Sequence, residues 1–118
     1  MILIVDDDEG MAESCAMFLE TKGYQVATAS NSVDARSQLE AAPIELLISD
    51  CSLPDGSGVE LSKELRADPA TARLPILLMS GGLRCDAAPG DSYDAFLRKP
   101  FLAEQLLIEV RKLLEAGT

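Results

Sequence analysis

The chain has 118 residues, 47% of them hydrophobic and 25% charged, which fits one globular domain with a buried core and argues against disorder. Its 20 acidic residues against 10 basic ones give a formal net charge of −10, which argues against a nucleic-acid or anionic-membrane surface, since both need clustered Lys and Arg. There is no histidine, which removes His-based acid–base catalysis, Ser-His-Asp triads and most zinc sites.

The opening MILIV falls far short of the ~20 apolar residues of a membrane span, lacks the basic flank of a signal peptide and runs straight into acids. Residues 2–5 therefore read as a buried strand. Met11, Cys15, Phe18, Leu19 and Lys22 fall at helical spacing, and Gly23 ends that helix as a left-handed cap. YQVATA (24–29) alternates as a strand does. Ser32 caps a short helix running through Leu39 and Ala42, which Pro43 stops.

IELLIS (44–49) is a second continuous apolar run, followed by the turn-rich DCSLPDGSG (50–58). VELSKELRAD (59–68) is a helix with Val59, Leu61 and Leu65 inward, and PILLMS (75–80) is another strand. GGLRCDAAPGDSYD (81–94) has weak periodicity and a Pro-Gly, so a helix there is short or absent. AFLR (95–98) forms a last strand. LAEQLLIEVRKLLEA (102–116) is the clearest helix, with Leu102, Leu106, Val110, Leu113 and Leu114 on one stripe. Cys15, Cys51 and Cys85 are odd in number and unpaired in spacing, so a reducing cytoplasm is expected and no disulfide framework.

Continuous apolar strands separated by helices imply a parallel sheet covered on both faces, in one doubly wound α/β domain spanning residues 1–118. Ligands of such sheets bind beyond the carboxyl ends of the strands. Those ends deliver Asp6 and Asp7 from the first strand, Asp50 from the third, Ser80 from the fourth and Lys99 from the fifth; the second, at the rim, delivers nothing comparable. Converging carboxylates repel, each pair ~4 Å apart by about 4 kcal/mol at an effective dielectric of about 20. Either protons stay on or a cation sits among them. An oxygen-only site with few protein ligands suits Mg²⁺. Lys99 and Ser80 suit phosphoryl oxygens, and an aspartate such as Asp50 can act as a nucleophile toward phosphorus.

The segments LIVDDD (3–8), LLISDCSLPDGSG (46–58), ADPATARLPILLMSG (67–81) and FLRKPF (96–101) resemble, in order and spacing, the response-regulator receiver domain of two-component signalling. The resemblance covers nearly the whole chain. It implies a flavodoxin-like five-stranded parallel sheet of order 2-1-3-4-5. It also implies that Asp50 takes a phosphoryl group from the phosphohistidine of a histidine kinase or histidine phosphotransfer protein. Mg²⁺ would then be served by Asp6, Asp7, Asp50 and the Ser52 carbonyl, with Asp7 the direct ligand of the acidic pair and Asp6 acting largely through water. Ser80 matches the switch hydroxyl, Lys99 the lysine that the family keeps at this place, Phe96 the aromatic whose rotamer reports activation, and Pro100 the proline after a cis peptide bond. Self-catalysed transfer and slow loss of the phosphate would follow, with output through an unknown downstream protein and a monomer or weak dimer as the working form.

The chain departs from the pattern in having Ser80 for the commoner threonine, Gly81-Gly82 after it, and a short segment from Ser80 to Lys99. Blander readings exist: Asp6 and Asp7 as helix caps, Asp50 and Ser80 as turn residues, Lys99 as a solvated lysine and Phe96 as plain core. Two other functions compete. One is a receiver-like binding module that is never phosphorylated. The other is a haloacid-dehalogenase-like phosphatase, whose nucleophile motif Asp6-x-Asp8 resembles.

Overall fold

Strands that are apolar on both sides must be covered on both sides, and the chain does this by placing helices on both faces of its sheet. The computed structural model describes residues 1–81 and 92–116. In chain order the elements are β1 (Ile2–Val5), α1 (Glu9–Thr21), β2 (Val26–Ala29), α2 (Ser32–Ala41), β3 (Leu46–Asp50), β4 (Ser52–Leu53), β5 (Gly56–Ser57), α3 (Gly58–Ala67), β6 (Ile76–Ser80), β7 (Ala95–Arg98) and α4 (Ala103–Ala116).

The long strands form one parallel sheet in the order β2-β1-β3-β6-β7. With the two-residue β4 and β5 set aside as their own hairpin, this is the expected 2-1-3-4-5. Alternate strand residues feed two cores. Ile2, Ile4, Leu46, Ile48, Leu77 and Met79 meet α1 and α4 on one face. Leu3, Val5, Leu47, Ile76 and Leu78 meet α2 and α3 on the other.

Local signals act as expected at Gly23, which has φ +95° and follows α1, and at Ala42, which turns extended before Pro43. Three expectations need correction. Asn31, not Ser32, caps α2, its side chain accepting from the Asp34 N–H at 2.8 Å. The face of α1 pressed to the sheet is Ala12, Ala16 and Leu19, with Cys15 and Phe18 at its margin and Lys22 exposed above the Phe18 ring. Alanines win the inner position because a helix lying close on a sheet leaves little room for longer side chains. On α4 the buried stripe is Leu106, Leu107 and Val110, while Leu102 precedes the helix and is exposed. The short or absent helix expected within 81–94 falls on a stretch mostly outside the described residues, as does Cys85.

The junction of β3 with α3 is a close backbone approach. The Gly58 N–H donates to the Cys51 carbonyl at 2.9 Å, and Ser57 caps α3 by accepting from the Val59 N–H at 3.1 Å. A Cβ on Gly58 would stand 2.1 Å from the Asp50 carbonyl oxygen and 3.0 Å from Ser49 Oγ. The near neighbour is backbone, which cannot swing aside, so glycine is required here by close approach and not by its dihedral angles. Gly58→Ala is expected to destabilise the domain by about 2 kcal/mol or more, the scale of core overpacking, seen as a lower urea midpoint. An unchanged midpoint would contradict this packing.

Candidate functional site

Each strand of the sheet's centre ends on a polar side chain at one edge. The β1 ladder continues one residue past Val5, because the Asp6 N–H donates to the Ala29 carbonyl at 3.0 Å. That carries the Asp6 carboxylate inside, where it is 1% exposed, and leaves Asp7 at the surface. Asp50 closes β3, and Ser80, buried, closes β6. Lys99 follows β7 directly, and its N–H donates to the Ser80 carbonyl at 2.8 Å, which joins the ends of β6 and β7. The Lys99–Pro100 peptide is cis, as the resemblance implied.

The side chains converge. Lys99 Nζ donates to Asp6 Oδ2 at 2.7 Å and to Asp50 Oδ2 at 3.0 Å. The second oxygens are also bonded: Asp6 Oδ1 accepts from the Asp8 N–H at 3.0 Å, and Asp50 Oδ1 accepts from the Ser52 N–H at 3.2 Å. A buried carboxylate is tolerated only with such complete pairing. Burial pulls the Lys99 ammonium toward the neutral form, but the hydrogen bonds and charges of Asp6 and Asp50 outweigh it and hold Lys99 above the ordinary lysine value. A raised lysine gives its full stabilisation below the ordinary lysine pKa and loses it only as pH climbs through the raised value, so Lys99 stays charged throughout the neutral range.

One ammonium does not neutralise the cluster. Among the described residues, Asp6, Asp7 and Asp50 each bring a carboxylate oxygen within 4.8 Å of the others. Formally, three negative charges against one positive leave two uncompensated. A hard divalent cation fits this donor set, since it prefers carboxylate and carbonyl oxygens and needs few of them from the protein. Cys15 borders the site from α1. Its thiol is pushed up by burial and by Asp6, with Lys99 working the other way, so it stays protonated and unreactive.

Asp8, not Asp6 or Asp7, caps α1, accepting from the Met11 N–H at 3.1 Å, which commits the second aspartate of the Asp6-x-Asp8 motif to a structural task. Lys99 is paired twice and is not solvated. Phe96 is half-buried and packs against the core on the α2–α3 face. Two residues escaped the sequence reading. Gly58 presses on the Asp50 carbonyl, and Asp55 reaches back to α2, its Oδ1 accepting from the Ser32 N–H at 2.9 Å. Pro54-Asp55-Gly56 signalled a turn, but nothing local signals a partner 23 residues away.

Comparison with known proteins agrees with this geometry. The family model for the response regulator receiver domain matches residues 2–111. The response regulator Rre1 of Synechocystis sp. is 36% identical over 117 residues, covering 96% of this chain and 51% of that protein. The phosphate regulon transcriptional regulatory protein PhoB of Rhizobium meliloti is 33% identical over 116 residues, with 96% and 51% covered. The chain thus spans about half the length of these curated relatives. Among solved structures, a CheY-like response regulator receiver domain protein from Methanospirillum hungatei JF-1 superposes with a TM-score of 0.86 at 26% identity, over 98% of this chain and 94% of that one. No helix among the described residues is long and apolar enough to cross a membrane. A doubly wound sheet with an acidic cluster and a bridging lysine at its carboxyl edge, matched along nearly its whole length, places this chain in the response regulator receiver domain family.

Proposed function

We propose that this receiver domain accepts a phosphoryl group on Asp50 from the phosphohistidine of a histidine kinase or histidine phosphotransfer protein, with Mg²⁺ held by Asp6, Asp7, Asp50 and the Ser52 carbonyl. The observation that carries the reading is the Lys99 ammonium shared by Asp6 and Asp50 beside the cluster of three carboxylates. A divalent cation joining that ammonium would offset the three carboxylates and let the site take an anion bearing several oxygens, and phosphoryl transfer needs mainly positioning and charge neutralisation.

In the transfer, a carboxylate oxygen of Asp50 forms a bond to phosphorus as the phosphorus–nitrogen bond of the donor breaks, its electron pair leaving on the imidazole. The product is an acyl phosphate. Lys99, already aimed at Asp50, moves its hydrogen bonds to an oxygen of the transferred group, and the Ser80 hydroxyl takes another. Mg²⁺ supplies charge neutralisation and orientation of the phosphoryl oxygens. Gly58 and the Ser52 N–H keep the nucleophile in place from the backbone side and the carboxylate side. Slow attack of water on phosphorus returns the carboxylate.

The added charge draws Ser80 and Lys99 toward Asp50 and biases a surface that includes Phe96, so that a downstream protein binds one state in preference to the other. A cytoplasmic, monomeric or weakly dimeric domain fits this role. Relatives about twice as long accommodate an output domain joined to the receiver as well as a separate downstream protein.

Incubation with acetyl phosphate and Mg²⁺ should add one phosphoryl group by intact mass, abolished by EDTA and by Asp50→Asn. A folded protein that takes no phosphoryl group, from acetyl phosphate or from a phosphorylated histidine phosphotransfer protein, would overturn the proposal in favour of an unphosphorylated binding module. Lys99→Ala should slow adduct formation by roughly 100-fold, the scale of losing one transition-state donor. An unchanged rate would remove Lys99 from the chemistry.

A further inference from the structure

The loop from Cys51 to Ser57 carries the Ser52 carbonyl, and its Ser52 N–H holds Asp50 Oδ1. It is anchored at its base, where the Cys51 N–H donates to the Met79 carbonyl at 2.8 Å and the Gly58 N–H to the Cys51 carbonyl at 2.9 Å. Above the base, β4 and β5 pair Ser52 with Ser57 and Leu53 with Gly56, which leaves Pro54 and Asp55 at the tip. An exposed tip would be free to sway, and the Ser52 carbonyl with it.

Here the tip is tied. Asp55 Oδ1 accepts from the Ser32 N–H at 2.9 Å, and Oδ2 accepts from the Val33 N–H at 3.2 Å. These amides open the ten-residue helix α2, whose next free amide, that of Asp34, is already taken by Asn31. A carboxylate suits a helix N-terminus by charge as well as by hydrogen bonding. The Asp55 carboxyl is correspondingly held below its usual range, first by the Ser32 N–H and further by that of Val33, with burial opposing. Helix α2 is in turn locked on the sheet through Ala35, which is fully buried. None of its residues belongs to the proposed site, so the tie connects the site's exposed loop to a rigid element outside it.

We propose that Asp55 is a positioning residue for the cation site: by clamping the hairpin tip to the first turn of α2, it fixes where the Ser52 carbonyl stands and, through the Ser52 N–H, the Asp50 carboxylate. This rests on the Mg²⁺ reading given above. A loop that is already ordered does not lose freedom when the cation arrives, so the clamp appears as affinity. Partners one step removed from a metal typically alter its affinity by about 10- to 100-fold.

The test is calorimetric titration with MgCl₂ of the wild type, Asp55→Ala and Asp55→Asn, each shown folded by circular dichroism at the titration temperature. Asp55→Ala should bind Mg²⁺ about tenfold more weakly than wild type. Asp55→Asn, which keeps one acceptor oxygen, should fall between them. A purely structural role would lower the unfolding temperature of both variants and leave their Mg²⁺ affinity at the wild-type value, which overturns the proposal. Equal weakening in both variants would also overturn it, by assigning the effect to lost charge and not to the clamp. If Asp55→Ala does not fold, Asp55→Asn decides, titrated at low and at high KCl: several-fold weaker binding at both salt concentrations supports the clamp, and wild-type affinity, or a weakening that high salt removes, overturns it. Absence of Mg²⁺ binding by the wild type would instead bring down the cation reading itself, and the clamp's role with it.

Discussion

Lys99 Nζ stands 2.7 Å from Asp6 and 3.0 Å from Asp50, two carboxylates that parallel strand topology forces to the same edge of the sheet. Without that ammonium, Asp6 would be a buried charge facing another charge, an arrangement that costs several kcal/mol. With it, the edge is tolerable but still short of positive charge, because Asp7 lies within the same cluster. The imbalance is the useful part. A site that is complete without a ligand has nothing to gain from one, whereas this site improves when a divalent cation and then a phosphoryl group enter. Stability is given up at the functional edge and supplied by the two apolar cores on the faces of the sheet.

The surrounding backbone answers to the same constraint. Asp50 is held from behind by Gly58, whose missing side chain lets α3 begin against the Asp50 carbonyl. It is held from the side by the Ser52 N–H, on a loop tied to α2 through Asp55. Lys99 is fixed at its own backbone by the Ser80 carbonyl. The site is thus assembled from residues far apart in the chain, each set by a main-chain interaction close by. Electrostatic stabilisation of a transferring group depends on such groups being in place beforehand.

Much of this was legible in the sequence, for identifiable reasons. ILIV, LLIS and ILLMS are apolar without alternation, and only strands covered on both faces look like that in an α/β pattern. Reading the residue after each run then produced Asp6, Asp7, Asp50, Ser80 and Lys99 without knowledge of any contact, because parallel strands align their carboxyl ends. Phe96 packs against the core, as its plain-core reading has it, but a half-buried aromatic looks the same in sequence whether or not its rotamer also reports a switch. Two details were not legible: packing against the sheet takes Ala12 and Ala16 over Met11 on α1, and Asn31, not Ser32, caps α2 through the Asp34 N–H. Asp55 was invisible because its partners lie in another element, and a Pro-Asp-Gly turn has the same sequence whether or not its tip is tied down.

The uncompensated charge at the strand ends is measured most directly by thermal unfolding in metal-free buffer and across a Mg²⁺ titration, for wild type and Asp50→Asn. Asp50→Asn removes two repulsive pairs at the loss of one attractive one, so it should melt at a higher temperature than wild type without metal. Added Mg²⁺ should raise the wild-type melting temperature in the manner of a ligand that binds only the folded state, closing the gap. A metal-free Asp50→Asn that is less stable than wild type, together with a wild type indifferent to millimolar Mg²⁺, would contradict the charge imbalance on which the site's function is built.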